Sequence, residues 1–266
     1  MYNFTFHRPT TVRQAAGLLA RNPDAKLLAG GHSLIPVMKQ RLANPSALID
    51  LSLVEGLVGV EQKGRSIVIG AMTRHADVAN AAVLQQALPG LAAVPGAIGD
   101  PQVRNRGTIG GSIANNDPAA DYPSAVLALG ATVKTNKRSI SADDFFKGLF
   151  TTALADGEII TAVTFPIAAK AGYCKFPHPA SRFALTGVFV VKTKAGDVRV
   201  AATGASQSGV MRVPAIEAAL KANWSASALD SVKISADGLM SDLHGSSDYR
   251  ANLIKVMAQR AVAAAG

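Results

Sequence analysis

Two pairs of adjacent glycines constrain this chain more than any other feature. One stands in LLAGGHSLIP, residues 27–36. The other stands in RNRGTIGGSIANNDPAADYP, residues 104–123, about eighty positions further on. A glycine pair removes two side chains and admits positive φ, so backbone N–H groups can converge on an anion as a nest. A helix starting directly afterwards adds unpaired N–H groups and its dipole. The first pair precedes a helix expected from about Ser33; Thr108 and Ser112 flank the second with hydroxyls. Taken singly, either pair reads more readily as a turn. Two of them suit a diphosphate, with a donor set for each side. Asp117 and Asp121 repel a phosphate. Asp121 suits a ribose diol, as acids do in nucleotide sites, and equally suits a helix N-cap ahead of Pro123. Asp117, before Pro118, also suits a turn start. No two glycines are spaced G-x-G and there is no GxxxxGK[ST] loop. The usual Rossmann fingerprint and the P-loop are thereby excluded.

Composition removes several other classes. At 266 residues the chain has room for roughly two or three units. Its single cysteine, Cys174, cannot close an internal disulfide or ligate an iron–sulfur cluster or structural zinc. His7, His32, His75, His178 and His244 are scattered without metal-ligand spacing, so no protein-bound metal is expected. No apolar run reaches eighteen residues and the N-terminus lacks a secretory pattern, which points to a cytoplasmic protein with no membrane-spanning segment. The formal charge of +9 fits an anionic ligand or acidic partner. Nucleic acid is not expected, because aromatics make up only 5% of the chain.

Hydrophobic patterning predicts an α+β protein. Residues 1–55 read as strands at 26–29 and 47–51 with helices after Thr10 or Thr11 and over 34–42. Residues 56–168 read as a hairpin over 57–61 and 66–71, a helix over 74–80 capped by Thr73, alanine-rich helices over 82–93, the glycine-rich loop, a helix from Pro123, and strands at 131–135 and 159–165. A boundary is expected near 166–172. Residues 169–266 read as a smaller unit with a hairpin over 189–192 and 198–203 and helices over 214–222 and 249–265.

LLAGGHSLIPVMKQRLANPSALIDL, IGAMTRHADV, GDPQVRNRGTIGGSIANNDPAADYPSAVLALGA and GYCKFPHPASRFALTGV together resemble the FAD-binding medium subunit of molybdenum hydroxylases, of the aerobic carbon monoxide dehydrogenase type. The flavin segment of xanthine dehydrogenase and aldehyde oxidase is similar. The likeness runs from about Tyr2 to the C-terminus. It implies a two-part FAD-binding domain of the vanillyl-alcohol-oxidase (PCMH) type, residues 1–55 and 56–168, followed by a smaller α/β C-terminal domain. It implies non-covalent FAD with its pyrophosphate between the two glycine loops. Matched by motif, Leu28, Ala29, Gly30, Gly31, His32, Ser33 and Leu34 form one contact strip; Ile98, Thr108, Gly110, Gly111 and Ser112 form another. Asp121 matches an acid near the ribose or adenosine, Asp117 is grouped with it, and Ile160 and Lys175 match positions lining the FAD site. Arg182–Phe183 falls where relatives vary.

The resemblance further implies a large molybdenum–pterin (molybdopterin) subunit and a small subunit with two-iron iron–sulfur clusters, assembled as a dimer of heterotrimers. This chain would accept electrons from the small subunit and pass them to an external acceptor, with no catalytic residue of its own. Arg104 and Arg106 are expected beside the flavin loop. The rival reading is a stand-alone flavin oxidase or dehydrogenase of the same superfamily, with His32 at a position that carries covalent flavin in some oxidases. A second rival is a binding module without redox chemistry.

Overall fold

Thr11 opens the chain's first helix. Its hydroxyl accepts from the Gln14 amide while the Gln14 side chain accepts from the Thr11 amide, a reciprocal pair that satisfies two otherwise orphan donors. In the computed structural model, which describes residues 1–265, this helix is α1 (Val12–Arg21), between β1 (Thr5–His7) and β2 (Lys26–Leu28). α2 (Leu34–Lys39) and β3 (Ala47–Asp50) follow. The strands pair in the order β1-β3-β2, all parallel. Ala15 of α1, Ile49 of β3 and Leu51, Val54 and Leu57 form the buried centre of a small separate core.

The second unit begins with β4 (Val60–Lys63) and β5 (Ser66–Gly70). Six short helices follow: α3 (His75–Asn80), α4 (Ala82–Ala87), α5 (Pro89–Gly96), α6 (Pro101–Arg106), α7 (Ile109–Asn115) and α8 (Tyr122–Ala128). Then come β6 (Thr132–Thr135), β7 (Ser139–Ser141), α9 (Ala142–Phe145), the small pair β8 (Phe146–Gly148) and β9 (Thr151–Thr152), and β10 (Ile160–Pro166). The sheet is antiparallel in the order β4-β5-β10-β6-β7. All six helices are thus inserted between β5 and β6, and the glycine-rich segment rides on a rigid sheet.

The third unit is an antiparallel sheet of β11 (Lys170–Pro177), β12 (Ala184–Lys192), β13 (Val198–Thr203) and β14 (Met211–Arg212). α10 (Pro214–Ala222), a 3-10 turn (Ala226–Leu229) and α11 (Ser247–Ala264) complete it. Alternate residues of this sheet enter different cores. Val188, Val190, Val200 and Ala202 pack with α10 and α11. Tyr173, Phe189, Val191 and Ala201 pack into the core of the second unit. With both faces covered, β12 is buried from Ala184 to Val191, which is why it reads as a continuous apolar run rather than an alternating one. Arg250 pins α11 to this sheet. It is buried, donating to the carbonyls of Leu185 and Gly204 at 2.8 Å and to both oxygens of Asp242.

Local expectations shift where tertiary contacts outbid propensity. The strand expected at 57–61 starts at Val60, because Leu57 is drawn into the N-terminal core. Thr73 does not cap α3. Its hydroxyl accepts from the Gly59 amide at 3.0 Å and donates to the Gly59 carbonyl at 3.1 Å, so the helix starts at His75. The alanine-rich helices expected over 82–93 are present as two, separated at Leu88, and the second runs on to Gly96. A helix, α6, replaces the loop expected at 101–106, with Asp100 accepting from the Val103 amide at 2.8 Å.

Candidate functional site

The two glycine pairs meet in space. A Cβ placed on Gly30 would lie 2.3 Å from the Arg106 carbonyl oxygen and 2.6 Å from Gly107 Cα. A Cβ on Gly111 would lie 3.5 Å from that of Ala29. The first loop therefore rests directly on the chain entering α7, at a separation only glycine permits.

They do not, however, offer the same chemistry. Gly31 takes φ +77°, turning the chain between β2 and α2. Among the described residues, the amides of Gly30, Gly31, His32, Ser33 and Leu34 donate to no protein acceptor. Five consecutive N–H groups are thus free around one left-handed turn, the arrangement that binds phosphate oxygens. The second pair was expected to form a matching nest, and here the structure differs. Gly110 and Gly111 lie in the first turn of α7, behind the N-cap Thr108. The Ile109 amide donates to Thr73 O at 3.2 Å and Gly110 to Ala71 O at 2.8 Å. Gly111 donates to Thr108 Oγ1 at 3.2 Å, and Ser112 to Thr108 O at 3.0 Å. α7 spends its N-terminal donors on its own N-cap and on the segment just after β5. It serves as the platform, and the first loop holds the free donors.

The remaining expected residues distribute around this platform. Leu28 ends β2, and His32 and Ser33 are exposed. Ile98 packs against the main core, its carbonyl held by Arg104 Nη1 at 2.7 Å. Arg104 thereby fastens the segment between α5 and α6, while the backbone of Arg106 supports Gly30. Asp117 accepts from the Ala119 amide at 2.9 Å, the turn its position before Pro118 suggests. Ile160 is a core residue at a bulge in β10, where the neighbouring Thr161 carbonyl accepts from Ala71.

Asp121 does not cap α8. Only 4% exposed, it receives the Tyr173 hydroxyl at 2.6 Å and sits 2.9 Å from Lys175 Nζ. Burial pushes this carboxyl up from the usual carboxylate range, against the opposing pull of Lys175 and Tyr173. The ammonium lies off the hydrogen-bond direction and is left without a proper acceptor. Tyr173, fifty-two residues from Asp121, had no sequence signal linking it to the acid.

His75 is the functional-site residue that sequence patterning missed. Its ring supports Gly107 from below: a Cβ on that glycine would lie 2.5 Å from Nε2. Its amide donates to the Gly107 carbonyl at 2.9 Å, and the ring lies 5.4 Å from that of the buried Tyr122. His75 Nδ1 and the Tyr122 hydroxyl are both buried without a partner. Burial, aided by the nearby charge of His32, lowers the His75 pKa from 6.5 to about 4. The unfolded chain therefore takes up a proton between pH 6.5 and 4 that the folded chain refuses. His75 costs no stability above pH 6.5 and about 3 kcal/mol once the pH has fallen to 4. Urea unfolding at pH 7 and pH 4.5 is expected to show this loss in the parent and a distinctly smaller one in His75→Gln.

The site is an open cradle. Two concavities, of about 290 and 640 Å³, lie elsewhere, one beside His178 and His244 and one along α1. The residues present fit an FAD diphosphate. Free amides converge at Gly30–Leu34, held against the Arg106–Gly107 backbone at a separation that only a glycine at position 30 permits.

Residues 2–168 match the family model described as the FAD-binding domain in molybdopterin dehydrogenase. The chain is 38% identical to the nicotine 6-hydroxylase medium subunit of Paenarthrobacter nicotinovorans, covering 97% of this chain and 95% of that one. It is 35% identical to the carbon monoxide dehydrogenase medium chain of Hydrogenophaga pseudoflava, covering 98% and 96%. The solved structure of reconstituted CO dehydrogenase from Oligotropha carboxidovorans superimposes with a TM-score of 0.89 at 32% identity, covering 99% of this chain and 97% of that one. Sequence, fold and cradle agree: this chain belongs to the family of FAD-binding medium subunits of molybdenum hydroxylases.

Proposed function

We propose that this chain holds FAD non-covalently and serves as the electron-transfer subunit of a molybdenum hydroxylase. It accepts electrons from a small iron–sulfur subunit and passes them to an external acceptor. The observation that carries this reading is the row of free amides from Gly30 to Leu34, seated on the glycine-lined start of α7. When bound, FAD supplies the redox chemistry. The chain's own residues bind and orient it. The Gly30–Leu34 amides donate to the diphosphate, with Ser33 and Ser112 as the proposed hydroxyl donors. α7 and His75 keep the two loops at contact distance, and Asp121 and Lys175 serve the sugar-bearing portion of the cofactor. Leu28, Ala29, His32, Ile98, Thr108, Asp117 and Ile160 complete the proposed lining or its support. With a single cysteine the chain supplies no cluster ligands. The molybdenum–pterin and iron–sulfur groups therefore belong to a large and a small partner subunit.

The unit boundaries we propose are 1–55, 56–168 and 169–266. The assembly we propose is a dimer of heterotrimers in the cytoplasm. Among the described residues no helix is long and apolar enough to cross a membrane.

The visible spectrum tests the reading. The chain purified with its partner subunits is expected to show flavin absorption bands, and acid is expected to release the flavin intact. The isolated chain is expected to take up added FAD. A preparation colourless in both states that takes up no FAD sinks the proposal; flavin that stays attached through acid denaturation sinks its non-covalent part.

A further inference from the structure

The first twenty-three residues contain no aspartate or glutamate; Asp24 is the first acid in the chain. They contain Arg8, Arg13 and Arg21, and the fold gathers all three along one groove. It has a volume of about 640 Å³ and is lined by these arginines with His7, Pro9, Gln14, Gly17 and Leu18. The absent side chain of Gly17 leaves room for the Arg21 guanidinium, whose Nη1 would lie 3.4 Å from a Cβ placed there, with Arg13 one turn before it along the helix. Only Arg8 finds a carboxylate, Asp50 at 3.3 Å. Among the described residues Arg13 and Arg21 make no ion pair. β1, which carries His7, is an edge strand, and the adjacent Phe6 on it is half exposed.

We infer that this groove is a docking surface for a carboxylate-rich face of a partner subunit. This inference rests on the reading of the chain as one subunit of a heteromeric enzyme. The chemistry favours a protein face over a small anion. A small-anion site needs convergent, shielded donors. Here the N-terminal amides nearest the groove are already used, Thr10 and Thr11 donating to Gln14 Oε1 and Gln14 to Thr11 Oγ1. What remains is three exposed guanidinium forks spread along α1 and the end of β1, that of Arg8 shared with Asp50 and those of Arg13 and Arg21 in no ion pair among the described residues. Such forks match carboxylates two oxygens at a time. Arginine is also among the residues enriched at protein interfaces.

The test is co-expression of Arg13→Glu/Arg21→Glu with the partner subunits, followed by measurement of assembly and FAD content. Lys194→Glu/Lys233→Glu, at two exposed positions outside the groove, is the charge-matched control. The double reversal is expected to weaken association of this chain with its partners at least tenfold at low salt. FAD content and thermal midpoint of the isolated chain should stay as in the parent, and parent assembly should weaken as salt rises. Assembly of the double variant equal to the parent's, or equal damage from the control, overturns the inference while leaving the FAD reading intact. So does salt-sensitive binding of polyphosphate or nucleic acid that the double variant loses while assembling normally. A parent chain that takes up FAD and never joins a partner overturns both the inference and the subunit reading.

Discussion

Replacing Gly30 with alanine is expected to weaken FAD binding by roughly ten- to a hundredfold, and replacing it with valine to abolish binding. The new Cβ would stand 2.3 Å from the Arg106 carbonyl oxygen and 2.8 Å from its carbon. Both are backbone atoms, fixed where α6 passes into α7, so no side-chain rotation relieves the clash. Overpacking of this kind costs about 1–3 kcal/mol. Here it is relieved by pushing apart the two surfaces that form the cradle. Gly31→Ala acts by another route. Its φ of +77° is costly for any residue with a Cβ, and its nearest neighbour is the Ile35 side chain at 3.0 Å. About 1–2 kcal/mol of strain makes it the milder of the two alanine variants. Gly96→Ala, where a new Cβ meets nothing within 4 Å, should leave affinity unchanged. Titration of each apo-chain with FAD, followed by flavin fluorescence, gives the order. Gly30→Ala binding as tightly as Gly96→Ala would remove the cradle from the account.

The second large effect is expected at the buried pair between the second and third units. Lys175→Met is expected to lower stability at pH 7 by about 3–5 kcal/mol, because it leaves the Asp121 carboxylate buried without its counter-charge. The side chains are only 7% and 5% exposed, so screening by solvent is slight. The pH dependence has a definite sign. Without the lysine, burial is opposed only by hydrogen bonding, chiefly from Tyr173, on an acid already pushed up, so the loss shrinks as the pH falls and Asp121 takes a proton. Asp121→Asn combined with Lys175→Met should recover part of the loss, since no unpaired charge remains. Chemical denaturation of the four proteins at pH 7 and pH 5 closes the cycle. Additive single effects with no pH dependence would show that the two charges do not interact in the folded chain.

What the sequence made legible was local. The Thr11 capping box needs only residues 11 and 14, and the glycine pairs announce a close approach because no other residue permits one. The hairpin over β12 and β13 declares itself through its Lys194–Asp197 turn. The contacts that decide how the site works lie between residues far apart in sequence. Nothing near Gly110 says that its amide is taken by Ala71, so the pair reads as a free nest when it is the first turn of a docked helix. Asp121 followed by Pro123 has the pattern of a cap, and only the fold brings up Tyr173 and Lys175 to claim its carboxylate. His75 sits in an unremarkable helix start, and its role follows from Gly107 passing over its ring. β11, with Gly172 and Lys175 in it, lacks the alternating pattern of a half-exposed strand because one face meets the core of the second unit and the other meets α11 of its own.

The free amides belong to the unit with the smallest core, a three-stranded sheet whose buried centre is a handful of residues around Ala15 and Ile49. The platform beneath them belongs to the largest. A ligand bridging the two stabilises the weaker more, since that is where opening is easiest. Flavin loading should therefore be read most clearly as slowed amide hydrogen exchange in β1–β3. The amides of β12, sealed between two cores, set the slow limit with or without cofactor. On this account the first fifty residues of the apo-chain should open more readily than the rest, and the same measurement should show the difference closing as flavin is added.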